Sequence, residues 1–438
     1  MGRICHLTAL AAILLCSALT LRTQDTNFVR QNLRVLTSHE MWGRAGCHDG
    51  EAKAANYLAD QFRQVGAIPL GENGMQYYDI GAHKMEGKVE ISIKGRILKT
   101  FDDYRIAAYS HTTHVKNAPI IRIDASLLLD EAKLSAFINK NATALKSAFI
   151  YIDAEKWKKK DEENTKQVNK ALKDLMFNNP FQSVGILVGM NEMPTWGLNY
   201  TNMERNYAYI YVLRSQFTPK VKTVSVDFDN TFYMKHSQNV CFFILGKECP
   251  DSMIVFTAHY DHLGCMGDDV ILPGAHDNAS GTCAVLDFAR HYSQNPPKYT
   301  TVFLLFSGEE AGLQGSHNFV ENTLIDLKKV KLLLNLDMFG GGNDGFTVVN
   351  YNSPGTQPFY DNLVKINEEQ KLVTKVNPRV NTANSDHYYF SKNCPAIFIY
   401  TMGGRTGKYH HYSDTCDNCS LDCYNNIFSL IRQAIEKL

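Results

Sequence analysis

The sequence has no surplus of charge of either sign: 45 lysines and arginines stand against 45 aspartates and glutamates in 438 residues. Without a basic excess there is little to hold a phosphate backbone or an anionic membrane, so neither nucleic acid nor membrane surface is expected as a partner. A long apolar run is also missing. The uncharged stretch at residues 7–21, between Arg3 and Arg22, falls short of the ~20 apolar residues a spanning helix needs. It has the make-up of an export signal, so residues 1–23 are expected to be a signal peptide and the mature chain a periplasmic or secreted protein without a transmembrane segment. Lipid anchoring at Cys16 is the lesser expectation, because Leu15 stands where a bacterial lipoprotein signal usually has a small residue. No collagenous, coiled-coil or repeat pattern is present. An even cysteine count is lacking too: of eleven, nine lie beyond the leader, leaving at least one thiol unpaired or intermolecular. Cys416, Cys419 and Cys423 cluster, but with no obvious fourth ligand a disulfide or plain packing is expected rather than a zinc knuckle.

What remains, roughly 415 residues, is enough for two or three domains. From 27 to 66 the chain reads as largely helical, with Ala55, Leu58, Phe62 and Val65 on one face and Gly66 placed to stop the helix. His39 and His48, in the glycine-bearing loop between the helical segments, read as surface or capping residues. Val89, Ile91 and Ile93 then alternate with polar residues, the period of a strand. A strand at 147–153, a mixed-sign charge run at 156–163, a helical pattern through Val168, Leu172 and Leu175, and the apolar GILVG at 185–189 follow. This β-α-β stretch has its own apolar residues, so 87–219 is expected to be an inserted smaller α/β domain, with 24–86 and 220–438 forming the main one.

The chemistry is concentrated after residue 250. MIVFTA (253–258), TVFLLFS (301–307), VKLLLNL (330–336) and AIFIY (396–400) are short apolar runs, as expected of strands buried on both faces of a sheet. His259, Glu309 with Glu310, and Asp337 each follow such a run closely, and Asp277 in GAHDNASG opens a helix-like segment. In an open α/β sheet ligands gather outside the carboxyl ends of the strands. The pattern predicts one shared site. Each piece alone is weak; Glu309 and Glu310, for example, could simply sit at a helix amino terminus. Capping does not account for the preceding strand or for the SGEEAGLQGS context. His262 and His276 are not expected to be ligands, and His387 could line a substrate cleft or serve the fold.

The ordered set His259-x-Asp261, Asp277 in DNASG, Glu309-Glu310, Asp337 in NLDMFG, and His410 four residues before Asp414-Thr415 resembles the exported zinc peptidases of the M28 family. HEMWGRAG, AANYLADQF, IPLGENG, SDHYYF and CPAIFIY also look like that family, so the resemblance spans most of the chain from about residue 27. The insert resembles a diverged protease-associated domain. The resemblance implies an α/β fold with a mostly parallel central sheet flanked by helices, and two zinc ions bridged by Asp277. One ion would also be held by His259 and Asp337, the other by Glu310 and His410. Asp261 would orient the His259 imidazole and Glu309 would be the general base. Two dications lower the pKa of a bridging water, giving a hydroxide nucleophile near neutral pH, and a base that takes and returns its proton must stay out of the metal's own shell. Peptides are the implied substrates. An aminopeptidase is favoured over a carboxypeptidase because Arg379 and Arg405 are isolated. A glutaminyl cyclase, with a single zinc on a related fold, and a non-catalytic binding module are the other readings. Oligomeric state is not legible.

Overall fold

The protein is described here by a computed structural model covering residues 26–158, 162–198 and 205–438. The run at 253–258 lies within the strand Cys249–His259, whose side chains alternate between two buried clusters. Ile254, Phe256 and Ala258 join one of them with residues of the helices Gly50–Gln64, Ser280–Gln294, Gln357–Gln370 and Tyr424–Glu436. Met253 and Val255 join the other with Phe319 and Phe390. Burial on both faces removes the need for polar alternation, which is why the run is apolar throughout.

Tyr299–Phe306, Cys249–His259, Val330–Leu336 and Ala396–Thr401 lie side by side in that order and run parallel. They form the middle of a nine-stranded sheet. Its flanks are antiparallel: Thr231–Ile244 pairs with Tyr299–Phe306 on one side and Phe346–Val349 with Ala396–Thr401 on the other. The α/β architecture is as expected, and parallel pairing holds where the site residues emerge, while the edges make the sheet mixed. Ala55, Leu58 and Phe62 are buried against it from the helix Gly50–Gln64.

A second sheet, of eight strands, is built from residues 89–228. The chain leaves the first sheet through Met75–Lys84 and returns through Thr231–Ile244, two strands paired antiparallel from Lys84 opposite Thr231 to Met75 opposite Val240. Thr223–Phe228, beyond the 87–219 range expected of an insert, pairs with Val89–Ile93 and Thr113–Ile123 in the second sheet. Val224, Val226 and Phe228 point into that sheet's core, so the burial of their apolar face places the strand in the second sheet.

One buried arginine ties the amino-terminal segment to the sheet. Arg44 is fully buried, and its guanidinium donates to the carbonyls of Tyr260 (2.7 Å), Leu36 (2.8 Å), Pro273 (2.5 Å) and Gly274 (2.8 Å). Burial lowers its pKa to about 10, and Asp261, Asp414 and Asp277 pull the other way. Cys416 and Cys419 are buried thiols whose carbonyls both accept from Arg30. The expected export signal, with Cys16, lies outside the described residues. Among those described, no helix is long and apolar enough to cross a membrane.

Candidate metal centre

Where the parallel strands end, so do their apolar runs, and polar side chains take over. His259 is the last residue of its strand; Glu309 and Glu310 follow Tyr299–Phe306 after a turn, and Asp337 directly follows Val330–Leu336. The pairing of Cys249–His259 with both neighbours brings these ends together. Asp277 arrives from the segment that leads into the helix Ser280–Gln294, and His410 from the loop after Ala396–Thr401. All seven residues expected at the site converge.

Asp277 stands at the middle. Its Oδ1 is 3.4 Å from His259 Nε2, and its Oδ2 is 3.2 Å from His410 Nε2. Asp337 Oδ1 lies 3.4 Å from His259 Nε2, and Glu310 Oε2 3.2 Å from His410 Nε2. The two oxygens of one carboxylate thus face two different imidazoles, each with a further carboxylate of its own. Glu309 Oε2 is 3.9 Å from His259 Nε2, on the first side. Asp261 holds the arrangement from behind: its carboxylate accepts from the backbone N–H of Glu309 (3.2 Å) and of Glu310 (3.3 Å). It also lies 3.5 Å from His259 Nδ1, which is 3.2 Å from the Asp261 carbonyl.

The residues fit a cation. Asp337 Oδ1 and His410 Nε2 are buried without a hydrogen-bond partner, a costly arrangement for groups that nothing else would satisfy. Ligand-type atoms of His259, Glu309 and Asp337 lie within 4.8 Å of one another, as do those of His262, Asp277 and Glu310. Imidazole nitrogen and carboxylate oxygen are a donor set suited to zinc. Burial opposes ionisation throughout, yet the groups compensate one another. The close imidazoles of His259 and His410 hold Asp277 well below the usual carboxylate range, and those of His262 and His410 bring Glu310 to about 2, despite burial and the Asp277 charge. Glu309 goes the other way: burial, with Glu310 and Asp337 nearby, pushes its carboxyl well up against the pull of His259.

Several supporting groups were not legible in the sequence. His262, not expected to be a ligand, is fully buried with Nδ1 2.7 Å from Glu310 Oε1; the available signal was its place one residue after Asp261. Ser385 donates to Asp337 Oδ2 (2.7 Å), and Asp414 accepts from the backbone N–H groups of His276 and Asp277. His387 is fully buried, its Nε2 3.1 Å from Asn381 Oδ1, so it serves the fold and does not line a cleft. Gly281 explains the small residues of DNASG, because a Cβ there would collide with the Leu336 carbonyl and the Asn278 side chain. Gly281→Ala is expected to cost about 1–3 kcal/mol of stability and, by shifting the strand end before Asp337, to weaken zinc binding; chemical unfolding and zinc titration of the variant measure both.

Residues 239–435 match the model of peptidase family M28. Over 109 residues, 23% of this chain and 24% of the other, the sequence is 37% identical to a probable zinc metalloprotease of Pyrenophora tritici-repentis. Over 111 residues it is 36% identical to aminopeptidase YwaD of Bacillus subtilis, covering 25% of this chain and 23% of that one. The matched segment therefore spans about a quarter of the length of these curated relatives. The fold is shared more widely: BSAP, a zinc aminopeptidase from Bacillus subtilis, superposes with a TM-score of 0.67 at 19% identity, over 94% of this chain and 95% of that one. The strand-end constellation falls on the same stretch as the family match, so residues 239–435 are similar to peptidase family M28 where the candidate site is built.

Proposed function

We propose that the chain is an exported zinc aminopeptidase that binds two zinc ions and removes residues from the amino terminus of peptides. The observation that carries this reading is the placement of Asp277, one oxygen toward His259 and the other toward His410, with Glu309 alongside. His259, Asp277 and Asp337 would hold one ion, and Asp277, Glu310 and His410 the second. Bound zinc supplies Lewis acidity toward a carbonyl and lowers the pKa of coordinated water.

The chain's own residues do the rest. Glu309 accepts a proton from the attacking water and returns it to the leaving amine, a transfer that needs a carboxylate close to the ions but not committed to them. Its elevated proton affinity suits that exchange. Asp261 fixes the backbone that presents Glu309 and Glu310 and faces the Nδ1 side of His259, so the donors keep their places as substrate enters. The second sheet is read as an insert spanning about 85–230, from where Lys84 leaves the first sheet to where Thr231 re-enters it.

The test is mass spectrometry of a peptide mixture with free amino termini, some beginning with glutamine, after incubation with the zinc-supplied protein. Stepwise shortening from the amino end is expected, lost on chelation and restored by zinc. Shortening from the carboxyl end would make it a carboxypeptidase, and loss of ammonia alone a glutaminyl cyclase.

A further inference from the structure

We infer that the second sheet is a positioning element for the metal centre: Trp196 and the turn at Phe101–Asp102 hold the loop that delivers His410, so one of two zinc sites depends on the insert and the other does not. The inference rests on the two-zinc reading above.

The two imidazoles are supported from different places. His259 Nδ1 faces the carbonyl and carboxylate of Asp261, two residues along its own strand end. His410 Nδ1 instead lies 2.7 Å from the backbone carbonyl of Trp196, a residue of the insert, 214 positions away in sequence. A carbonyl can only accept, so Nδ1 donates, and in the neutral ring Nε2 keeps its lone pair toward Asp277 and Glu310. That buried Nε2 has no hydrogen-bond partner. His410 also has φ 52°, the left-handed region that side chains other than glycine avoid unless their surroundings impose it.

The insert supplies those surroundings. Trp196 is itself fixed, its indole Nε1 donating to the Ile106 carbonyl at 2.7 Å. Phe101 lies edge-on to the rings of Trp196, His411 and Tyr412, at centroid distances of 5.9, 6.0 and 6.2 Å. Tyr412 closes the contact by donating to Asp102 Oδ1 at 2.8 Å. His410 and the two residues that follow it are thus tied to the insert, and none of these ties touches His259 or Asp337.

Zinc titration of the full-length protein against a competing chromophoric chelator tests this without recourse to activity. Two sites are expected in the unaltered protein. Trp196→Ala keeps the carbonyl but removes the indole that fixes it, so it should weaken one site by about 10-fold, the lower end of what a displaced outer partner costs, and leave the other within about twofold. Trp196→Phe, which keeps a ring against Phe101, should recover most of the loss. Equal weakening of both sites, or no change, overturns the inference while leaving two zinc ions in place; an unaltered protein that binds no zinc overturns the underlying reading. Should Trp196→Ala fail to fold, Tyr412→Phe removes only one hydroxyl and is expected to weaken the same single site a few-fold, and an unchanged titration there counts against the inference.

Discussion

Glu309→Gln is expected to lower kcat by about a thousandfold, within the 10²–10⁴ range that a positioned general base contributes, while zinc content stays near that of the unaltered protein. The amide keeps the size and polarity of the side chain and loses only its capacity to take up a proton. The comparison matters because the geometry leaves Glu309 close to a ligand's place: its carboxylate joins His259 and Asp337 within 4.8 Å. Zinc content separates the two roles. If Glu309→Gln loses zinc along with turnover, the residue is a ligand; if it keeps both, it is neither ligand nor base. Asp277→Asn, whose acid faces both imidazoles, should lower zinc content and turnover together. Metal analysis and steady-state kinetics on the same preparations decide between these outcomes.

The second large effect is expected at a residue that never meets substrate. Arg44→Met should destabilise the protein by about 3–5 kcal/mol, the range for breaking a buried charge network from one side. The methionine fills much of the same space but leaves four carbonyls without their donor, and each buried acceptor left unsatisfied costs about 1–3 kcal/mol before relaxation. It also removes a positive charge that faces Asp261, Asp277 and Asp414. Arg44→Lys should recover only part of the loss, because an ammonium on a flexible stem cannot reproduce a planar fork of donors. Denaturant unfolding gives the answer directly. Equal midpoints for Arg44→Met and the unaltered protein would mean that water or a shifted loop satisfies those carbonyls.

How much of this was legible in the sequence follows from how local each signal is. The strand ends and the residues just past them were readable, since a run such as VKLLLNL states its own burial and Asp337 comes next in the chain. The placement of Thr223–Phe228 was not. Alternation at Val224, Val226 and Phe228 marks a strand, but the sheet it joins is set by pairing with Val89–Ile93, more than a hundred residues earlier. The support for His410 was less accessible still, because Trp196 contributes a backbone carbonyl and every residue has one. His262 lay in plain view beside Asp261, and only the fold shows that it turns toward Glu310.

The way the second sheet is attached bears on the entropy of forming the first. Met75–Lys84 and Thr231–Ile244 form a ribbon whose tip, between Lys84 and Thr231, is occupied by the whole second sheet. Closing a flexible loop of roughly 150 residues, where a hairpin would need about four, adds about 3 kcal/mol of chain entropy. That cost disappears once the insert has folded, because Val89–Ile93 and Thr223–Phe228 are themselves paired and hold the ribbon's two strands at its base. A folded second sheet thus removes the entropic cost of pairing Met75–Lys84 with Thr231–Ile244, two strands far apart in sequence.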